Sequence, residues 1–184
     1  MKYNLIITPL SLDYDYSKKQ FLFLGEWCKN YDKERYWENI EFNIVPYHWD
    51  DRRKLYKDYR YLIKVSNKLL EKLSMTLNKF HRTEYSLRYW QILVGPWLNY
   101  FIQILFDRWY MLNFAINKYE LYPIKVFRKN DDKTPPNDMS IFLDDIYYDE
   151  WNENLFSQIL DCMEFPVSFV VMENLEKPLR SDVT

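Results

Sequence analysis

Two short apolar runs in this chain break directly into reactive side chains. Phe21-Leu22-Phe23-Leu24 leads into Gly25-Glu26-Trp27-Cys28, and Phe42-Asn43-Ile44-Val45 leads into Pro46-Tyr47-His48-Trp49-Asp50-Asp51-Arg52. His48 is the leading acid–base candidate, because imidazole titrates near neutrality and two carboxylates follow it closely. Asp50 or Asp51 is expected to orient its ring; the competing reading makes His48 a hydrogen-bonded edge residue and leaves the aspartates to cap a helix. Glu26 follows a buried-looking strand and is expected to be desolvated enough for acid or base work. A salt bridge to Arg52, Arg53 or Arg88 is its alternative. Trp27 and Trp49 offer flat apolar faces to a sugar ring, a role that competes with core packing. Cys28 is a nucleophile only with a base beside it, and otherwise a small buried hydrophobe. Arg52, Arg53, Arg88 and Arg108 are the cations expected to meet an anionic ligand. Arg88, in Tyr85-Ser86-Leu87-Arg88-Tyr89-Trp90, is the one placed to reach a phosphate or carboxylate, against a structural pair with Glu84 or Asp107.

For these residues to act together, the two runs must be neighbouring parallel strands. Residues 29–41 are long enough for the short helical crossover that this requires. In open α/β sheets ligands bind beyond the carboxyl ends of the strands, so one shared pocket is expected. A first strand is predicted over 4–10. From Asp50 onward Leu55, Tyr59, Leu62, Ile63, Leu69, Leu70, Leu73 and Leu77 recur at three- and four-residue steps, the face of a long helix with Asp50 or Asp51 as N-cap. After a break at 81–84, where His81 is expected to face solvent, 89–106 reads as a buried helix with Pro96 in a first turn. Gln91, Gly95, Pro96, Asn99 and Gln103 interrupt that stretch too often for a membrane span. A strand is predicted over 122–128, a polar loop over 130–138, a helix over 144–163 and a last strand over 167–172.

Composition sets the outer limits. The 184 residues suit one domain. With only Gly25 and Gly95, neither glycine-rich phosphate loop can be built. The formal net charge of −2 supplies no overall field for nucleic acid, which is not an expected partner. His48 and His81 are far apart with no cysteine pair beside either, so no metal and no cofactor are expected. Two distant cysteines and the absence of a leader pattern at Met1-Lys2-Tyr3-Asn4 read as a reducing cytoplasm.

Five ordered segments carry a resemblance: LGEWC at 24–28, PYHWDDR at 46–52, YSLRYW at 85–90, GPWL at 95–98 and FDRW at 106–109. Together, over about residues 1–165, they resemble the amino-terminal part of a family of transferases associated with bacterial O-antigen and other surface-polysaccharide (lipopolysaccharide) gene regions. The resemblance implies an α/β, Rossmann-like parallel sheet flanked by long helices, the first domain of a glycosyltransferase-B-like enzyme. It implies a nucleotide-sugar donor and a saccharide or lipid-linked acceptor, with most donor contacts made by a second domain. Members are several times longer, so this chain is expected to be inactive by itself, with 166–184 a poorly packing tail or a junction to that missing domain. The resemblance transfers no catalytic residue; Glu26, His48 and Asp50 as catalytic groups, and Trp27, Trp49, Asp51, Arg52 and Arg88 as substrate contacts, rest on position and chemistry. The alternative is a non-catalytic interaction or saccharide-binding module, a remnant of the longer transferase. Peripheral attachment at the inner face of the membrane through 89–106 suits a lipid-linked acceptor but lacks a flanking basic cluster.

Overall fold

The computed structural model describes residues 1–13, 20–30, 34–128, 138–163 and 165–171. Strands β1 (Lys2–Ile6), β2 (Phe21–Phe23) and β3 (Phe42–Ile44) form, with the two-residue β4 (Glu120–Leu121), a parallel sheet in the order β3-β2-β1-β4. β2 pairs with β1 on one side and β3 on the other, all three of its residues being buried. A strand covered on both faces must be apolar at every position, which is why Phe21-Leu22-Phe23 does not alternate. The short helix α1 (Glu34–Trp37) makes the crossover to β3. This is an α/β, Rossmann-like arrangement, and it puts the residues after β2 and β3 side by side at one edge.

The first strand stops at Ile6, earlier than its predicted end, because Pro9–Asp13 coils into a 3-10 turn. β5 (Ile124–Arg128) pairs in parallel with β6 (Val167–Val171) in a separate two-stranded sheet. β6 falls within the last strand predicted over 167–172. The predicted polar loop at 130–138 lies outside the described residues save for Asp138, which caps α5 (Met139–Asp145) by accepting from the Ile141 N–H. The predicted helix over 144–163 is divided into the end of α5 and α6 (Asp149–Cys162).

The long helix is α2 (Arg52–His81). Asp51 caps it, its carboxylate accepting from the N–H groups of Arg53 and Lys54. It ends where Arg82 turns left-handed at φ 55°, and the Asn78 side chain braces the corner by accepting from Tyr85 N–H, Thr83 Oγ1 and Trp90 Nε1. Then come α3 (Leu87–Leu93), capped by Ser86, and α4 (Gly95–Lys118), with Pro96 in its first turn as predicted. The buried line of α2 is Leu62, Ser66, Leu70 and Ser74, of which Leu62 and Leu70 pack on Leu98 and Ile102 of α4. Leu55, Tyr59, Ile63 and Leu69, expected on the covered face, are exposed instead. Two serines in an i, i+4 row let the helices approach closely, and the Ser66 hydroxyl donates to Asn99 Oδ1 across the seam. Ser66→Leu is therefore expected to wedge α2 from α4 and cost about 1–3 kcal/mol, read as a lower urea midpoint at unchanged slope. A gain in midpoint would show that leucine, not serine, suits this seam.

The main core joins Leu22 and Phe23 of β2 to Met111, Leu112 and Ala115 of α4 and to Phe156 and Leu160 of α6. Phe23 stacks on Phe42 at 4.3 Å. α4 and α6 are thereby locked to the sheet edge where the candidate residues gather.

Candidate functional site

The turn after β3 carries Tyr47, His48 and Trp49 into a polar cluster between α2 and α4. His48 is buried, with Nε2 3.0 Å from Asp107 Oδ1 and Nδ1 3.1 Å from Lys54 Nζ. A lysine ammonium has only donors, so Nδ1 accepts and Nε2–H donates to Asp107. The ring is stacked on Tyr110 at 4.4 Å and against Trp49 at 4.5 Å. Lys54 sits 3.7 Å above the Tyr110 ring centre and pairs with Asp58, which also accepts from Trp49 Nε1 at 3.2 Å. Asp107 pairs in turn with Arg108. The result is an alternating row, Arg108–Asp107–His48–Lys54–Asp58, whose helix spacings do the positioning: Lys54 and Asp58 are one turn apart on α2, Asp107 and Tyr110 one turn apart on α4.

The electrostatics follow from that row. Burial by itself would raise the Asp107 carboxyl, but His48, Arg108 and Tyr47 together outweigh it and hold the group below the usual carboxylate range. The Tyr47 phenol is pushed up, first by burial and then by the neighbouring Asp107 charge, to which its hydroxyl donates. Arg108 reaches the edge of the cluster, where Asn152 Oδ1 accepts from its Nη2 at 2.9 Å and Nε at 3.2 Å. Its guanidinium lies 5.9 Å from the Trp27 ring.

Trp27 forms the other wall. Its indole N–H donates to the Ile7 carbonyl at 3.0 Å, and its ring meets Tyr47 edge-on at 6.4 Å, so residues from the ends of β2 and β3 meet at one surface, the mouth of the candidate site. Both aromatic rings remain more than a third exposed. The ring also lies over Gly25, where an added Cβ would sit 2.1 Å from it. Cys28 behaves as a buried hydrophobe: its thiol donates to the Ile6 carbonyl, and burial pushes it up to about 12.

The expected residues are therefore not all together. Trp27, His48 and Trp49 meet at the mouth or just beneath it. Glu26 is exposed rather than desolvated, and its partner is Lys29, not an arginine. Asp51 is the cap of α2 and Asp50 is exposed; the carboxylate that meets His48 is Asp107. Arg52 is exposed in the first turn of α2. Arg88 is on α3 and donates to Gln91 of the same helix, away from both strand ends, while Arg108 takes the position beside the mouth. Asp107, Lys54, Asp58, Tyr110 and Asn152 were not expected. The i, i+4 pair of Lys54 and Asp58 was readable as a helix pair, but nothing local links it to His48.

A second polar cluster lies between α6, β5 and the turn that follows β1. Glu153 of α6 is fully buried there; Oε1 accepts from Phe127 N–H at 3.0 Å and Ser11 Oγ at 3.4 Å, and Oε2 is bonded to Thr8 Oγ1. Burial dominates and pushes its carboxyl up to about 8. The signal for it was a carboxylate at position 153 on the stripe that continues through Phe156 and Leu160.

Among the described residues no group of three or more His, Cys, Asp and Glu side chains is placed to hold a metal ion, and no helix is long and apolar enough to cross a membrane. A family model described as LIC12162 family transferase matches residues 3–183, a span that includes all five segments and both polar clusters. No curated protein and no solved structure matches the chain.

Proposed function

Because the chain belongs to the LIC12162 family of transferases, we propose that it is the acceptor-side domain of a sugar transferase of bacterial surface-polysaccharide or O-antigen synthesis. A transferase takes a donor and an acceptor; here the donor is a nucleotide sugar and the acceptor a saccharide or lipid-linked saccharide. The plan is glycosyltransferase-B-like, with a second domain providing most donor contacts, and the parallel order β3-β2-β1-β4 supports it. The location is the cytoplasm or the inner face of the membrane. The single observation that carries the reading is the mouth made by Trp27, Tyr47 and Arg108: a half-open aromatic wall beside a guanidinium fits a sugar ring next to an anion.

In the proposed reaction the acceptor hydroxyl oxygen attacks the anomeric carbon of the donor. The new C–O bond forms as the bond to the diphosphate breaks, the diphosphate leaves with the electron pair, and Glu26 takes the hydroxyl proton. Asp50 is a further exposed carboxylate of the two strand ends, one not used as a helix cap, and assists at the acceptor. Trp27 and Trp49 frame the sugar, and Arg52 and Arg108 balance phosphate charge. His48 has both ring nitrogens occupied within the protein, so its role is positioning: it holds Asp107, and through it Arg108 and Tyr47. Asp51 acts only through the start of α2. Arg88 is left outside this group.

The test is saturation-transfer NMR with uridine-diphosphate sugars and a panel of free oligosaccharides. The expected result is a saccharide signal that Trp27→Ala weakens about tenfold. Gly25→Ala should match it, because its Cβ and the Trp27 ring cannot occupy the same space. No carbohydrate signal from the wild-type chain, or equal signals from both well-folded variants, would overturn the reading.

A further inference from the structure

α2 is a basic helix in an otherwise acidic molecule. It holds nine of the 25 Lys and Arg residues but two of the 27 Asp and Glu, a net of +7 within a chain of net −2. The charges are not spread around it. Arg53, Lys57, Arg60, Lys64, Lys68 and Lys72 follow one another at three- and four-residue steps, all exposed. They occupy about a third of the circumference over about 28 Å of helix. Glu71 is the acidic residue on this face. Tyr61 and Met75, 56% and 72% exposed, lie on the same side. The other side of α2 is already committed, since Leu62, Ser66 and Leu70 are seated on α4 and Ser74 continues the same buried line.

We propose that this stripe docks the protein on an anionic lipid bilayer. The charge complementarity is specific to one helix face, and a flat surface can meet that face without approaching the acidic remainder. A nucleic acid following the protein surface would run into repulsion beyond α2. Exposed tyrosine and methionine beside lysines are suited to the headgroup boundary, where ring and thioether enter and ammonium groups stay at the phosphates. The surface differs from 89–106, which supplies apolar area without the charge. The inference goes beyond sugar transfer and holds whatever group the enzyme moves; it brings the mouth, next to the start of α2, close to a membrane.

The test is flotation of the 184-residue chain with vesicles of phosphatidylcholine alone and with phosphatidylglycerol added. Binding is expected only with the anionic lipid. It should fall about a hundredfold at low salt when Arg60→Gln, Lys64→Gln, Lys68→Gln and Lys72→Gln are combined, and should be lost in strong salt. Lys2→Gln with Lys118→Gln, which remove charge elsewhere, should leave it unchanged. Equal binding to both vesicles, no binding, or full binding by the quadruple variant with unaltered circular dichroism overturns the proposal. Tighter binding to a mixed-sequence oligonucleotide than to the anionic vesicles at equal salt also overturns it. None of these outcomes alters the oligosaccharide signal, so the two readings fail separately.

Discussion

Asp107→Ala is expected to destabilise the fold by about 3–5 kcal/mol, read from denaturant midpoints, because it strands the Arg108 charge and two neutral donors around one lost carboxylate. Asp107 accepts from His48, Arg108 and Tyr47 at once. Removing it leaves the His48 N–H and the Tyr47 hydroxyl without that acceptor and the Arg108 guanidinium half-buried beside them. Asp107→Asn keeps an acceptor for His48 but turns an amide or a neutral oxygen toward Arg108, so a smaller loss is expected. The pH dependence separates charge from packing. The carboxyl is held below its ordinary 3.8, so its stabilisation is complete above that pH and is lost as pH falls through the lower folded value. Wild-type thermal midpoints should therefore drop below about pH 4 more steeply than those of Asp107→Ala. Parallel curves for the two proteins would remove Asp107 as the anchor of this row.

Glu153→Gln is expected to act with the opposite sign. Its carboxyl rises from 4.5 to about 8 on folding, so the folded protein holds a proton there that the unfolded chain releases. Stability from this group is fully present below pH 4.5 and is lost as pH rises through about 8. The proton belongs on Oε2, facing the Thr8 hydroxyl, because Oε1 already accepts from Phe127 N–H. Glutamine copies that pattern, with its carbonyl toward Phe127 and its amide toward Thr8. The variant should match the wild type at pH 5 and exceed it at pH 9 by an amount on the order of a few kcal/mol, because it has no buried charge to form. Scanning calorimetry at the two pH values makes the comparison. A variant less stable than wild type at pH 9 would show that the ionised carboxylate is the native form.

Much of the architecture was legible because it depends on local pattern. A short apolar run such as Phe21-Leu22-Phe23 suits a strand covered on both faces, and 29–41 is long enough to cross over to a parallel neighbour, which is how β2 and β3 pair. A helix cap at Asp50 or Asp51, which the structure places at Asp51, and Pro96 in a first turn are likewise local, since each acts within four residues of itself. The periodicity of α2 was visible too, but not its covered side. Leucines recur all along it, and which of them are buried was decided by the approach of α4 at Ser66 and Asn99, a contact between residues 33 positions apart.

The candidate site divides in the same way. By itself the sequence determined that His48 and Trp27 stand at strand ends, since that is a matter of where apolar runs stop. Only the tertiary structure decided what they meet. Asp50 and Asp51 are neighbours of His48 in the chain, but a turn followed by a helix start points their carboxylates elsewhere, while Asp107 arrives from 59 residues away on α4. Arg108 displaced Arg88 from the mouth, and Glu153 came to rest among Thr8, Ser11 and Phe127, for the same reason. Hydrogen bonds and desolvation act over a few ångströms of space, and separation along the chain carries no information about such distances once helices have packed.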